Sequence, residues 1–185
     1  MSAVAWPDHL LSLEDWAALP EDNSHRVELV EGTLHVSPRP VSYHQWALME
    51  LGYQLRAQLP KSLVALPEVE VVLFEYLATV RIPDLVVVPV ELASKNPARF
   101  RASELELAVE VVSPGSGRTD RVLKFAEYAE AGIPNYWIVD LEKPTSLAAY
   151  VLKNGHYVLV TESAAAVDVE SPVALTVDPA ALLSR

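Results

Sequence analysis

The sequence predicts an α/β fold, and three features carry that prediction. Two runs are almost wholly aliphatic, DLVVV from Asp84 and AVEVV around Glu110. Strands this apolar are buried on both faces and belong in the middle of a sheet. Stretches with helical spacing lie on either side of these runs, at 42–59 and 118–131. The pairs Glu31-Gly32 and Asn154-Gly155 mark tight hairpin turns near the two ends.

The elements follow in order. Ser12 with Asp15 reads as an N-cap and its reciprocal acid, opening a short helix through Trp16 and Leu19. Residues 26–30 and 33–36 form a hairpin about Glu31-Gly32. From Ser42 to Leu59, apolar residues at Trp46, Met49, Tyr53 and around Leu55 to Leu59 fit an amphipathic helix that Pro60 stops. Three extended segments come next, 62–74, 79–90 and 105–112, with a polar loop or short helix at 96–104. A helix over 118–131 ends at Gly132 as its C-cap. Residues 135–140 are a further strand, and 147–152 with 156–161 a second hairpin. The tail closes in a short helix with Asp178 as cap and Pro179 at its first position. No repeat or linker divides the 185 residues, so the expectation is one domain over 1–185.

Composition excludes several classes. A hydrophobic share of 51% supports a sizeable core, and the apolar runs are too short to cross a bilayer. The first residues lack a basic stretch followed by an apolar one, and there are no cysteines. Disulfides and thiolate metal sites are therefore excluded, and a cytoplasmic, non-membrane protein is expected. With 25 acidic residues against 14 Lys and Arg, the net charge is −11. Such a chain is no general coat for nucleic acid; it would bind polyphosphate only through a local basic cleft or with metal ions as partners.

The chemistry concentrates on two acids. A carboxylate within a buried strand is expensive unless paired, protonated or bound to a cation. Asp84 opens one aliphatic run and Glu110 interrupts another. The plain alternative is a pair of strand acids salt-bridged to nearby arginines. Two convergent carboxylates with open positions would instead suit Mg²⁺, a hard cation that takes few protein ligands. Asp120, Lys124 and Tyr128 recur every four residues on one face of the following helix. Lys124 could hold an attacking water or stabilise a developing negative charge; the plain alternative is a solvated helix face.

The segments ELVEG (28–32), SYHQ (42–45), RIPDLVVV (81–88), LAVEVVSP (107–114) and TDRVLKFAEYAEAGIPNYWIVD (119–140) together resemble the Uma-type (Uma-two) family of restriction endonucleases, assigned to the PD-(D/E)XK nuclease superfamily. The resemblance runs in order from Glu28 to Asp140. It implies a restriction-endonuclease-like core: a mixed central β-sheet flanked by helices, with N-terminal and C-terminal β-hairpins. It also implies a Mg²⁺-dependent endonuclease acting on DNA, with Mn²⁺ as a substitute and a homodimer as the form suited to cutting both strands. Asp84 and Glu110 match the metal-binding acids, and the Val111 carbonyl a further ligand. The position two residues past the second acid, where the general pattern has its lysine, is Val112; Lys124 on the next helix matches the family's place for it. Glu28 matches an N-terminal acid that completes the site, and His44 a residue near it. The turn SPGSGRTD departs from the family by carrying two glycines.

Rival chemistries find less support. The 113–117 loop lacks the Gly-Lys-Ser/Thr of a P-loop and the glycine spacing of a dinucleotide fingerprint or a nucleophile elbow. The histidines at 9, 25, 35, 44 and 156 form no HExxH or paired zinc spacing. The alternative from a different class is a catalytically silent nuclease fold serving as an interaction or dimerisation module, which the acidic balance and an apolar C-terminal hairpin would suit. Convergence of Asp84, Glu110 and Lys124 separates the two readings.

Overall fold

The computed structural model describes residues 9–20, 25–37, 39–112 and 118–184, with 118–121 described by backbone alone. The first helix, α1 (Leu13–Ala18), is opened by Ser12, whose hydroxyl accepts from the Asp15 N–H while the Asp15 carboxylate accepts from the Ser12 N–H. The hairpin of β1 (Arg26–Val30) and β2 (Thr33–Ser37) turns through Glu31 and Gly32, both at positive φ (48° and 76°). α2 (Ser42–Gln58) follows, then β3 (Leu63–Pro67), β4 (Val71–Phe74), β5 (Thr79–Arg81) and β6 (Leu85–Pro89). A turn of helix, α3 (Val90–Ala93), and a two-residue strand, β7 (Phe100–Arg101), lead to β8 (Leu107–Val112). α4 (Arg118–Glu130) ends at Gly132, where the Ile133 N–H reaches back to the Tyr128 carbonyl. Beyond it are β9 (Asn135–Asp140), β10 (Ser146–Lys153) and β11 (His156–Ser163). A small hairpin of β12 (Val167–Val169) and β13 (Leu175–Val177) precedes a 3₁₀ turn, Pro179–Leu183, capped by Asp178.

The architecture is mixed α/β, with strands in two principal sheets. One has the order β2-β1-β5-β4-β7, the other β11-β10-β9-β8-β6-β3. Pairing is antiparallel except for β4 with β7 and β8 with β9. Two of the extended segments expected from the sequence are each broken across these sheets. The stretch 62–74 is β3 in one sheet and β4 in the other, turned at Glu68, whose φ is 49°. The stretch 79–90 is likewise β5 and β6, parted at Ile82-Pro83. Proline has no N–H to give a ladder, so the strand ends there and restarts in the other sheet. The loop 96–104 holds β7 and a 3₁₀ turn, and the β12–β13 hairpin had no signature in the sequence reading.

Side-chain alternation along β6 and β8 builds two cores. Leu85, Val87, Leu107, Val109 and Val111 face α2 through Ala47, Leu48, Leu51 and Leu55. Val86, Val88 and Ala108 face the opposite side with Tyr128, Tyr136 and Phe100. The buried stripe of α2 is thus displaced from the expected one: Met49 and Tyr53 are 76% and 69% exposed. Ala47 and Leu51, four apart, fill the contact instead. A third cluster, Leu11, Trp16, Leu29 and Val80 among its members, seats α1 against the five-stranded sheet. Among the described residues no helix is long and apolar enough to cross a membrane.

The β1–β2 turn is pressed against the N-terminal segment. Gly32 donates to the Ala78 carbonyl and accepts from the Leu11 N–H, and a Cβ at Gly32 would lie 2.8 Å from that of Leu10. Gly155 has a similar φ, 80°, with nothing within 4 Å. Gly155→Ala therefore meets backbone strain alone and should cost about 1 kcal/mol, whereas Gly32→Ala adds overpacking and should cost about 3 kcal/mol. Urea unfolding of the two variants checks the difference; equal losses would show that the Leu10 contact carries no energy.

Candidate active site

The two sheets exchange their chain at 82–84, and the candidate site is built at that crossing. β6 and β8 pair from Val87↔Leu107 to Leu85↔Val109 and no further, while β8 stays paired with β9 to Val112↔Asp140. Asp84 and Glu110 sit just past the last β6–β8 pair, where the two strands part. Alternation along β8 turns Glu110 away from α2, on the side of Ala108, and so toward α4. Period 2 on β1 likewise sends Arg26 and Glu28 to one face. One turn of α4 separates Lys124 from Tyr128, and His44 stands in the first turn of α2.

These elements bring together every site residue expected from the sequence. Asp84, 2% exposed, accepts at Oδ1 from Arg26 Nη1 (2.8 Å). Its Oδ2 takes the Val111 N–H (2.7 Å) and His44 Nε2 (3.1 Å). Glu110 accepts from Lys124 Nζ at both oxygens (3.1 and 3.2 Å) and from the Tyr128 hydroxyl at Oε1 (2.7 Å). Glu28 Oε1 takes the Ile82 N–H (2.9 Å) and lies 3.3 Å from Lys124 Nζ. Lys124 is thereby held between two carboxylates. The Asp120 side chain and the 113–117 loop, both weighed in the sequence, lie outside the described residues.

Two cations, Arg26 and Arg81, and the acid Glu127 join these residues without a distinct sequence signature of a site. Arg26 also donates to the Ile82 carbonyl. Arg81, 2% exposed, grips both Glu127 oxygens (2.7 and 2.8 Å) and Glu28 Oε2 (2.9 Å). This fork ties β5, β1 and α4 into one unit. Their only sequence signals were the shared parity of Arg26 with Glu28 and the place of Arg81 three residues before Asp84.

Electrostatics divides the carboxylates. Burial opposes the charge on Asp84, but the His44 hydrogen bond and Arg26 more than offset it and hold its pKa down at about 2. Glu28 is also held below its ordinary value, Lys124 and Arg81 outweighing burial. For Glu110 burial wins over Lys124, and the neighbouring Asp84 charge adds to it, so its pKa rises to about 7. His44 is desolvated, yet its bond and charge contact with Asp84 leave its pKa raised. Four carboxylates (Glu28, Asp84, Glu110, Glu127) thus meet three permanent cations (Arg26, Arg81, Lys124). His44 adds a fourth cation when protonated, and Glu110 is the acid of the four with the raised pKa.

Among the described residues no three His, Asp or Glu side chains are placed to hold a metal ion. The oxygen donors at the parting are two carboxylates and a backbone carbonyl. The Val112 carbonyl accepts from Leu141 on the β9 side. Successive carbonyls alternate along a strand, so that of Val111 faces the other edge, toward Asp84. This hard, sparse donor set fits a Mg²⁺-like ion that keeps most of its waters.

The raised Glu110 value sets a pH dependence in the metal-free protein. Between the ordinary 4.5 and about 7 the folded state keeps a proton that the unfolded chain releases. That stabilisation is complete below 4.5 and lost as pH rises through about 7, on the order of 1 kcal/mol per pH unit. Asp84 has the opposite sign: its contribution is present above 3.8 and lost as pH falls through about 2. Urea midpoints measured between pH 4.5 and 7 should decline as pH rises, His44 adding to the fall, and Glu110→Gln should reduce that slope. A wild-type profile that is level across this window would contradict the assignment.

Comparison with known proteins bears on the fold and the family. No curated protein matches the chain. Among solved structures, one described as a "putative nuclease belonging to DUF820" from Anabaena variabilis ATCC 29413 shares the fold, with a TM-score of 0.70 over 94% of this chain and 98% of that one, at 19% identity. Residues 13–179 match the Uma2 family, described as "Putative restriction endonuclease". The match spans the parting of β6 and β8 and both helices that face it, and the chain belongs to the Uma2 family.

Proposed function

We propose that the chain is a divalent-metal-dependent endonuclease that hydrolyses phosphodiester bonds of DNA, with Mg²⁺ as the working ion and Mn²⁺ as a substitute. One observation carries the reading: Asp84, Glu110 and Lys124, far apart in sequence, converge in one buried cluster at a strand parting. Membership in a family described as restriction endonucleases supports the same class of chemistry. A buried carboxylate whose pKa is pushed up to about 7 beside oppositely charged partners is the kind of group that active sites gather, and it supports the same reading.

In this reading Asp84, Glu110 and the Val111 carbonyl hold the cation. The bound ion supplies Lewis-acid polarisation of the scissile phosphate and charge neutralisation at the leaving oxygen. The chain's own residues do the rest. His44 and the Val111 N–H fix the orientation of the Asp84 carboxylate. Lys124, held by Glu110 and Glu28, presents its ammonium where negative charge gathers as water adds to phosphorus and the ester P–O bond breaks. Arg81 and Glu127 keep Glu28, and so Lys124, in register. With one site per chain, cutting both strands takes two copies, so a homodimer belongs to the same reading. The exposed Val158, Leu159 and Val160 on the edge strand β11 are the surface proposed for it.

Plasmid nicking with Mg²⁺ tests the chemistry. Asp84→Ala and Glu110→Ala should each lose metal-dependent nicking by about 10³-fold or more, and Lys124→Ala by about 10²-fold or more. Glu28→Gln, which loosens Lys124 without removing it, should lose less. Undiminished nicking by Asp84→Ala would sink the reading. For the dimer, sedimentation of the wild type should give twice the chain mass and Leu159→Lys should shift it to the monomer; a monomeric wild type removes the homodimer from the proposal.

A further inference from the structure

One of the proposed metal ligands, Asp84, already holds a cation. Arg26 reaches from the start of β1 to the 82–84 crossing, donating to Asp84 Oδ1 at 2.8 Å and to the Ile82 carbonyl. Its charge also acts on Glu110 and Glu28, so the guanidinium is felt by both acids assigned to the metal. A carboxylate offers about four lone-pair positions. Three of those on Asp84 are taken, by Arg26, His44 and the Val111 N–H. The Val111 N–H is fixed in β8 and His44 is 7% exposed on α2. Arg26 is a long, flexible side chain and, at 15%, the most exposed of the three donor groups' side chains.

We infer that Arg26 is a resident cation that competes with the divalent ion for Asp84, so that the guanidinium sets the metal affinity of the site and withdraws from Oδ1 as the ion enters. The inference rests on the metal-centre reading of the same cluster and adds a positioning residue to it. With Arg26 in place the cluster is one charge from neutral, which suffices to keep Asp84 ionised and buried while no metal is bound. A divalent ion at the same carboxylate meets a like charge a few ångströms away, in surroundings that screen it poorly.

Calorimetric titration of the full chain with Mg²⁺ and Mn²⁺ tests this on binding alone. Arg26→Gln should bind about tenfold more tightly than wild type or better, and Arg26→Lys, which keeps the charge, should stay within about threefold of wild type. Measurable and equal binding by wild type and Arg26→Gln overturns the competition and leaves the metal centre standing. No binding by either at millimolar metal overturns both. Should Arg26→Gln fold poorly, the wild type supplies a second readout in ¹⁵N-detected arginine spectra. The slow guanidinium rotation of a paired Arg26 should quicken on saturation with Mg²⁺. A guanidinium that stays restrained when metal is bound overturns the inference.

Discussion

A buried carboxylate has to be compensated, and the interior of this protein is arranged around that constraint at Asp84. Its three donors come from β1, α2 and β8, elements joined by no local contact in sequence. Removing one partner from a buried charged pair costs about 3–5 kcal/mol, because the remaining charge stays in a poorly screened medium. The parting of β6 from β8 follows from the same requirement. If their pairing ran past Leu85↔Val109, the Val111 N–H would be taken up by the ladder and Asp84 would lose a donor. The gap between the strands is thus part of how the acid is stabilised.

A second layer of charge repeats the logic farther out. Arg81 takes Glu127 and Glu28 together, and Glu28 passes the constraint to Lys124. Each cation bridges two elements, so the position of α4 against β8 is set by ion pairs as well as by Tyr128 in the apolar core. Glu110 differs from its neighbours. It shares Lys124 with Glu28, borders the Asp84 charge and is buried, so it is the acid the cluster leaves short of positive charge. A proton can make up that deficit, and on the proposed reading a metal ion does so.

What was legible in the sequence was what elementary costs make conspicuous. An acid in an aliphatic run stands out because an aliphatic residue would be cheaper there, and Asp84 and Glu110 were found that way. Hairpins at Glu31-Gly32 and Asn154-Gly155 were legible because positive φ restricts the residues that fit. The division into two sheets is not, because apolar residues continue on both sides of each crossing, Val80 and Leu85 about Pro83 and Leu66 and Val69 about Glu68. Met49 and Tyr53 were misplaced because apolar side chains are common on surfaces, so spacing alone could not choose between two stripes of α2. Arg26 and Arg81 are inconspicuous for the opposite reason. An arginine is expected at the surface, and only the fold shows that these two are enclosed by acids.

The enclosed charges also bear on how an acidic chain could act on a polyanion. Of the 14 Lys and Arg residues, Arg26, Arg81 and Lys124 are committed to acids of the cluster, which leaves 11 elsewhere against 21 acids outside it. The rest of the molecule therefore carries about the whole net charge, −10 of the −11. A nuclease that held DNA by a broad basic face would release many counterions on binding. The chain as a whole has no such excess, so on the proposed reading attraction to the substrate has to arise locally, with the bound cation and Arg26 once it leaves Asp84 contributing to it. Metal entry would then do two things in one step, completing the catalytic centre and freeing a guanidinium to face a phosphate. Because both follow from neutralising the same carboxylate, substrate binding and chemistry would depend on metal together, and an acidic exterior would suppress association until the ion is in place.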